Sequence, residues 1–318
     1  MNKLFELRGT LDKKTSTILA VLGVIVLLLF WVLLSETLSN QVIKQIDKPV
    51  SELNIKNDKY YNSDSLLIAD YDYLEKLEET ELANFGLNKE KVYPLLPSPI
   101  KVLKSFKELN NKDDLIGNSF QSIKLNVFGY FVAFLISIPI GFLLALIPLF
   151  SGMFSKVVDS IRFIPLTAVT GIFIMWFGLG SEMKILFLAF GIIVYLIPVV
   201  VQRVKEVETV HLRTVFTLGA GTWQTIKTVY MPYVFSKLID DIRVLTAISW
   251  TYITIAEMLN KGGGLGELIW MAKRQSRIDK AFAILIVIVI IGLLQDRIFV
   301  LLDKFLFPYK HLNKGKKY

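Results

Sequence analysis

Long apolar runs without charges alternate with charged segments along this chain of 318 residues. A helix that rises about 1.5 Å per residue needs roughly 20 apolar residues to cross about 30 Å of hydrocarbon. Four runs of this kind, and two later ones interrupted by charges, predict six membrane-spanning helices at 15–35, 125–155, 163–181, 185–202, 233–259 and 281–302. We therefore predict an all-α fold, a polytopic membrane helix bundle of six transmembrane helices.

Composition divides the chain into a polar insert and an apolar, basic remainder. Apolar residues make up 53% of the chain and charged residues 20%, and the mean hydropathy is +0.51. Residues 36–124 carry a net charge of −3, whereas the remainder carries +11. The absence of cysteine and the presence of only two histidines exclude a disulfide scaffold, a thiol nucleophile and a histidine-rich metal site. We expect no cofactor and no nucleic-acid partner.

Lys and Arg in short loops predict the orientation, because these residues are retained on the cytoplasmic side. With the N-terminus inside, the inner segments carry 15 basic residues and the short outer segments carry six. Five of those six lie between residues 258 and 280, which weighs against this orientation. The predicted division is a cytoplasmic tail at 1–14, a first span at 15–35, an external segment at 36–124, a core of five spans at 125–302 and a basic cytoplasmic tail at 303–318.

The first span and the acidic insert after it each allow two interpretations. The first run resembles a secretory signal in its basic start, but it is too long and lacks an A-x-A site, so we predict an uncleaved anchor. Residues 70–82 combine an acidic run with leucines at helical spacing. This pattern predicts an external amphipathic helix, either solvated or serving as a docking surface for a partner protein.

Small residues recur at every fourth position in the second span. A helix with this spacing has a shallow groove against which another backbone packs closely. The groove consists of Gly129, Ala133, Ser137, Gly141 and Ala145. We expect packing within the subunit, with a subunit–subunit seam or a wall of a translocation path as alternatives.

Glu257 is an acidic residue in the otherwise apolar run 247–259. Such a residue is costly in a membrane unless it is paired or faces water. It could line or gate a translocation path near the outer end of the fifth helix. Alternatively, it could form a structural ion pair with a base of the outer loop such as Lys261.

The cytoplasmic loop 203–232 has the pattern of a helix, a turn and a second short helix. Gly219 permits a sharp turn, and Thr222 is a candidate N-cap for the second helix. Apolar residues in a short inner loop indicate burial against a partner.

The same loop resembles the cytoplasmic signature of ABC-importer permeases, which runs EAA, three residues, Gly, nine residues, Ile, one residue and Leu-Pro. Counted from Gly219, the Ile, Leu and Pro positions are Val229, Met231 and Pro232, whereas Arg213 starts a segment that replaces Glu-Ala-Ala. Three further segments resemble the nitrate/sulfonate/taurine branch of this family: 96–103, 176–180 and 256–266.

The resemblance implies the transmembrane permease subunit of an importer in the bacterial inner membrane, not an enzyme. It implies a homodimeric pore in membrane lipid, fed by an external substrate-binding protein and driven by cytoplasmic ATPase subunits. No G-x-x-x-x-G-K-[ST] motif occurs in the chain, consistent with hydrolysis in a separate subunit. The residues expected to couple to the ATPase are Arg213, Leu218, Gly219, Ala220, Trp223, Val229, Met231 and Pro232.

The resemblance does not name the solute. A nitrate-, sulfonate- or taurine-like compound is expected. A permease for osmoprotectants or vitamin precursors is one alternative. A membrane-anchored sensor or enzyme is another, although the insert offers no recognisable catalytic constellation.

Overall fold

The computed structural model describes residues 12–45, 87–260 and 262–310. The expected amphipathic helix at 70–82 and Lys261 lie outside the described residues. The described helices are α1 (Lys13–Thr37), α2 (Pro99–Lys112), α3 (Leu115–Leu146), α4 (Pro148–Ile161), α5 (Leu166–Phe177), α6 (Ser181–Lys205), α7 (Thr209–Thr217), α8 (Thr222–Thr225), α9 (Met231–Leu259), α10 (Leu265–Arg274) and α11 (Ile278–Leu306). The structure also has two strands, β1 (Asn40–Gln45) and β2 (Leu87–Val92), a π-helical segment at Ile226–Tyr230 and a short 3₁₀ turn at Pro308–Lys310.

The chain forms two compact units, Met1–Ser105 and Phe106–Tyr318. In the first unit, β1 and β2 pair antiparallel with Asn40 opposite Val92. The Glu36 carboxylate near the end of α1 accepts hydrogen bonds from Lys91 Nζ at 2.6 Å and Tyr93 OH at 3.0 Å. These contacts fix the end of the first apolar helix to the hairpin.

The second unit is a helical bundle around α6. Half of the residues in the apolar stretch of α6 are buried, compared with 6% for α11. On its two sides, α6 packs against α3 and α9, while α10 and α11 pack further out against α9. One core cluster joins Phe173 of α5 with Met183 and Phe187 of α6 and Ala256 of α9. An outer face rich in apolar side chains is expected for helices surrounded by lipid.

Five described helices are long and apolar enough to cross a membrane, or six if the α4–α5 pair forms one bent span. The prediction of a membrane helix bundle is confirmed. The third span, expected as one helix at 163–181, is the shorter α5, and it can only be part of a longer span together with α4, which it meets at an angle of 102°. With 12 residues, α5 is only about 18 Å long. The helix α4 ends at Ile161, and Pro165 is the extended N-cap residue from which α5 starts in its new direction.

The second span, expected to reach residue 155, stops at Leu146, and Pro148 starts α4, whereas two prolines further inside the spans do not break them. Pro139 lies inside α3 and Pro198 inside α6, and both helices continue. The second span also begins ten residues before the predicted start at 125. Asp114 caps α3, and its Oδ1 accepts a hydrogen bond from the Gly117 N–H at 3.2 Å. The charge of Lys124 limits the apolar run but does not end the helix.

Candidate functional site

The segment between α6 and α9, residues 206–230, contains six of the eight residues predicted to couple to an ATPase, and Met231 and Pro232 follow it directly; we call it the coupling segment. Its first helix, α7, ends at Gly219, which has φ of 78°. The Gly219 N–H donates to the Phe216 carbonyl at 3.0 Å, and the Ala220 N–H donates to the Val215 carbonyl at 3.2 Å. This is the Schellman motif, in which a left-handed residue lets the chain reverse over the last turn. The sharp turn predicted at Gly219 is confirmed.

The second half of the coupling segment differs in one detail from the prediction. Thr222 is the first residue of α8 and not its N-cap, because extended Gly221 occupies the cap position. The Gly221 carbonyl accepts the first helical hydrogen bond, from the Thr225 N–H at 2.9 Å. The π-helical segment then leads directly into α9, so that Val229 lies on it and Met231 and Pro232 form the first turn of α9. Pro232 is tolerated there because the first turn of a helix needs no internal donor.

Large apolar side chains of the coupling segment are exposed. Leu218 is 81% exposed, Trp223 71% and Phe216 58%. Arg213 is also exposed, on α7. Clustered exposed apolar residues on a loop are typical of an interaction site.

An apolar cavity of about 630 Å³ lies between the coupling segment and the end of α3. Trp223, Ile226 and Tyr230 line it on one side, and Pro139 and Phe142 line it on the other. The coupling segment therefore meets the bundle beside the Pro139 position of α3.

The small-residue groove of α3 faces α6. A Cβ atom added at Gly129 would lie 2.6 Å from Leu188, and one added at Gly141 would lie 2.5 Å from Val200. Ala133 and Ser137 of the same groove are fully buried, and Ala145 is half-buried. The groove allows two helices of one subunit to approach closely, as the first of the three interpretations requires.

A row of polar side chains joins α3 to α9, and we call it the polar seam. Ser122 Oγ donates to Glu257 Oε1 at 2.6 Å, Asn126 Nδ2 donates to Ser249 Oγ at 3.2 Å, and Tyr130 OH donates to Thr246 Oγ1 at 3.3 Å. All six side chains are buried. Within an apolar bundle such hydrogen bonds fix the register of two helices.

At the end of the seam, the Glu257 carboxylate supports the loop between α9 and α10. Its Oε2 accepts the Gly266 N–H at 2.8 Å, and the Ser122 hydroxyl accepts the Leu265 N–H at 2.9 Å. Gly264 has φ of 112° and passes so close to Glu257 that an added Cβ would lie 2.2 Å from the carboxyl carbon. Lys184 Nζ donates to the neighbouring Gly263 carbonyl at 3.1 Å. The glycine cluster at 262–266 is thus a tight turn wrapped around a buried carboxylate.

Glu108 joins α2 to the start of α11. Its carboxylate accepts a hydrogen bond from Arg277 Nη2 at 2.8 Å and lies 3.3 Å from Lys280 Nζ. Lys280 also contacts Asp113 at 2.7 Å. The hydrogen bond from Arg277 lowers the pKa of Glu108 to about 2. These contacts tie Glu108 and Asp113 to the start of α11.

Residues 126–307 match the family described as "Binding-protein-dependent transport system inner membrane component". The chain belongs to this family. An ABC transporter permease of Methanocaldococcus jannaschii is 31% identical over 220 residues, which cover 68% of this chain and 82% of that protein. An aliphatic sulfonates transport permease of Bacillus subtilis is 26% identical, covering 70% and 80%. A taurine transport system permease of Escherichia coli is 28% identical, covering 52% and 60%.

The solved structures agree with the fold of these permeases. The MetNI methionine ABC transporter in an inward-facing conformation matches with a TM-score of 0.55 at 18% identity, covering 60% of this chain and 95% of that chain. The predicted family and the multi-pass membrane fold are therefore confirmed. As a permease, the chain works with a separate ATPase subunit and a substrate-binding protein and does not hydrolyse ATP itself.

Sequence reasoning missed the polar partners of Glu257. Ser122, Asn126 and Tyr130 follow one another at four-residue intervals in α3, beside the small-residue row. That spacing was a usable signal for a polar face, but nothing local identified α9 as its partner. Among the residues that the structure describes, no three His, Asp or Glu side chains converge as a metal site would require.

Proposed function

We propose that this permease forms the translocation path for a small sulfonate- or taurine-like solute delivered by an external binding protein. The relatives from B. subtilis and E. coli support this class of solute. Two copies of the chain would form the pore, as the resemblance to homodimeric ABC-importer permeases implies. Glu257 as a residue of the path remains a prediction, because its carboxylate is buried among partners from the same chain.

The observation that carries the coupling role is the form of the coupling segment. A Schellman turn at Gly219 ends α7 and is followed by α8 with the exposed Trp223. A rigid, apolar protrusion of this kind fits a cleft in a separate protein. We propose that the cytoplasmic ATPase provides this cleft and that Arg213, Leu218 and Ala220 lie at its rim.

Two glycines test this coupling role as a matched pair. Neither Gly219 nor Gly221 has a neighbour within 4 Å of an added Cβ, but only Gly219 has positive φ. A side chain in the left-handed region costs roughly 1–2 kcal/mol. Gly219→Asp should therefore insert into the membrane but lose the ATPase on copurification, whereas Gly221→Asp, with the same charge, should retain more of it. Full retention and full uptake by Gly219→Asp would refute the assignment.

The solute is tested by uptake in cells lacking the gene. Deletion of the gene should abolish accumulation of labelled taurine or of an alkanesulfonate, and restoring the gene should restore this accumulation. Loss of glycine betaine or riboflavin uptake instead, with taurine uptake intact, would assign the permease to osmoprotectants or vitamin precursors.

The orientation is tested with reporter fusions. With both termini inside, a fusion after Leu38 should read as external and one at Gly221 as internal. An internal signal near residue 90 would reverse the proposed orientation.

A further inference from the structure

Arg203 joins the two helices from which the coupling segment emerges. It lies in the last turn of α6, and its Nε and Nη2 donate to Asp241 Oδ2 and Oδ1 of α9, both at 2.7 Å. Two parallel hydrogen bonds between a planar guanidinium and a carboxylate fix orientation as well as distance. The ends of α6 and α9 are therefore tied at two points.

The same guanidinium also holds the start of the coupling segment. Arg203 Nη1 donates to Glu206 Oε2 at 2.7 Å, and Gln202 Nε2 donates to Glu206 Oε1 at 2.9 Å. Tyr233 OH, at the start of α9, donates to the Glu206 backbone carbonyl at 3.3 Å. Glu206 is the residue at which α6 ends. One arginine thus binds the end of α6, the first residue of the coupling segment and the early part of α9.

The burial of this cluster favours a firm contact. The side chains of Arg203 and Asp241 are 24% and 17% exposed. Partly buried, bidentate pairs keep their geometry better than exposed ion pairs, which are screened and mobile. Removing the guanidinium would leave the Asp241 and Glu206 carboxylates without their shared cation.

On its other side, α9 is tied to α11 by a separate pair. Arg243 Nε donates to Asp296 Oδ1 at 2.8 Å. This pair involves the same residue types on the same helix, but it does not contact the coupling segment. It therefore provides a matched control for the loss of an arginine–aspartate contact.

We propose that Arg203 is a positioning residue that makes the coupling segment and the adjoining ends of α6 and α9 move as one body. Displacement of the segment is then transmitted to both helices together and is not absorbed by bending at Glu206. The transmission role rests on the proposed function, whereas the rigid connection does not.

The rigid connection is tested on the chain alone. The sequence contains no cysteine, so two introduced cysteines can carry spin labels without further changes. Suitable positions are Leu218 on the coupling segment and Leu259 on α9, which are 81% and 54% exposed. Pulsed dipolar spectroscopy, with labelled chain diluted in unlabelled chain in lipid nanodiscs, measures the distribution of distances between them.

We expect one narrow distribution in the parent and a loss of that narrow peak in Arg203→Gln. Arg243→Gln should keep the narrow peak, as should Lys205→Gln, which removes an exposed charge two residues from Arg203. If Arg203→Gln fails to fold, Asp241→Asn removes the charge and one of the two acceptors of the same contact with almost no change in shape. An unchanged narrow peak in the folded variant would overturn the proposal.

The transmission role is tested in the complex with the ATPase. Arg203→Gln should retain the ATPase and its basal hydrolysis while fewer solute molecules are transported for each ATP consumed. A normal ratio despite a broadened distance distribution would overturn transmission through Arg203. Failure of the unaltered chain to bind any ATPase would instead refute the proposed function, and the spectroscopic result would still stand.

Discussion

Replacement of Gly141 by alanine should destabilise the bundle through a single methyl group. The added Cβ would lie 2.5 Å from Val200 Cγ1 and 2.6 Å from Val200 Cβ. Ordinary carbon–carbon contacts are about 3.5–4.0 Å, so α3 and α6 would have to separate by about 1 Å or Val200 would have to move. Val200 is fully buried in α6 and has little room to do so.

The expected change in the free energy of unfolding for Gly141→Ala follows from two opposing effects. Overpacking of a core by this amount costs about 1–3 kcal/mol. Alanine is favoured over glycine inside a helix by roughly 0.5–1 kcal/mol, which offsets part of that cost. The substitution Gly171→Ala in α5 measures the preference for alanine alone, because Gly171 is exposed and has no neighbour within 4 Å of an added Cβ. Gly171→Ala should therefore be neutral or stabilising, whereas Gly141→Ala should be destabilised by about 2 kcal/mol relative to it.

The assay is reversible unfolding of the purified chain in mixed micelles, compared for the two variants and the parent. The double variant Gly141→Ala/Val200→Ala should be less destabilised than the sum of the two single changes, because the closest contact is removed. Equal stabilities of Gly141→Ala and Gly171→Ala would mean that the groove does not pack against α6. The assignment of the small-residue row to intrasubunit packing would then be wrong.

Three further predictions address the seam, the outer charges and the coupling segment. Glu257→Gln leaves only one side-chain oxygen to accept from both the Ser122 hydroxyl and the Gly266 N–H. The free energy of unfolding should therefore fall by about 1–3 kcal/mol. Normal stability with lost uptake would instead support a role of Glu257 in the translocation path. Because the pKa of Glu108 is lowered to about 2, its contact with Arg277 stabilises the fold above about pH 4.5 and weakens as the pH falls towards 2. The stability difference between parent and Glu108→Gln should shrink over that interval in thermal melts, and a constant difference would contradict the ion pair. Trp223→Ala should weaken copurification of the ATPase by an amount typical of an interface anchor, about 2 kcal/mol, and unchanged retention would exclude Trp223 from the interface.

The sequence alone determined that the chain is a bundle of membrane spans and where most of them lie, because the bilayer imposes a length that charge-free runs reveal, but it misplaced the ends of the second span and the form of the third. It also determined the conformation at Gly219, since a short helix followed by Gly-Ala-Gly has few ways to satisfy its last carbonyls. These features depend on residues within one or two turns of each other. Spacing was likewise enough to identify a groove on α3 and to place a glycine turn after α9.

The tertiary structure decided which surfaces meet. The chain bends by 102° between α4 and α5, where Pro165 precedes α5, whereas α3 and α6 are continuous through Pro139 and Pro198. The partner of Glu257 is Ser122, 135 residues earlier in the chain, and no local pattern specifies such a contact. Arg203 reads in sequence as one more basic residue at the end of a span. Only the approach of α9 places Asp241 within 2.7 Å of it, because hydrogen bonds between helices follow from packing and not from the period of either helix.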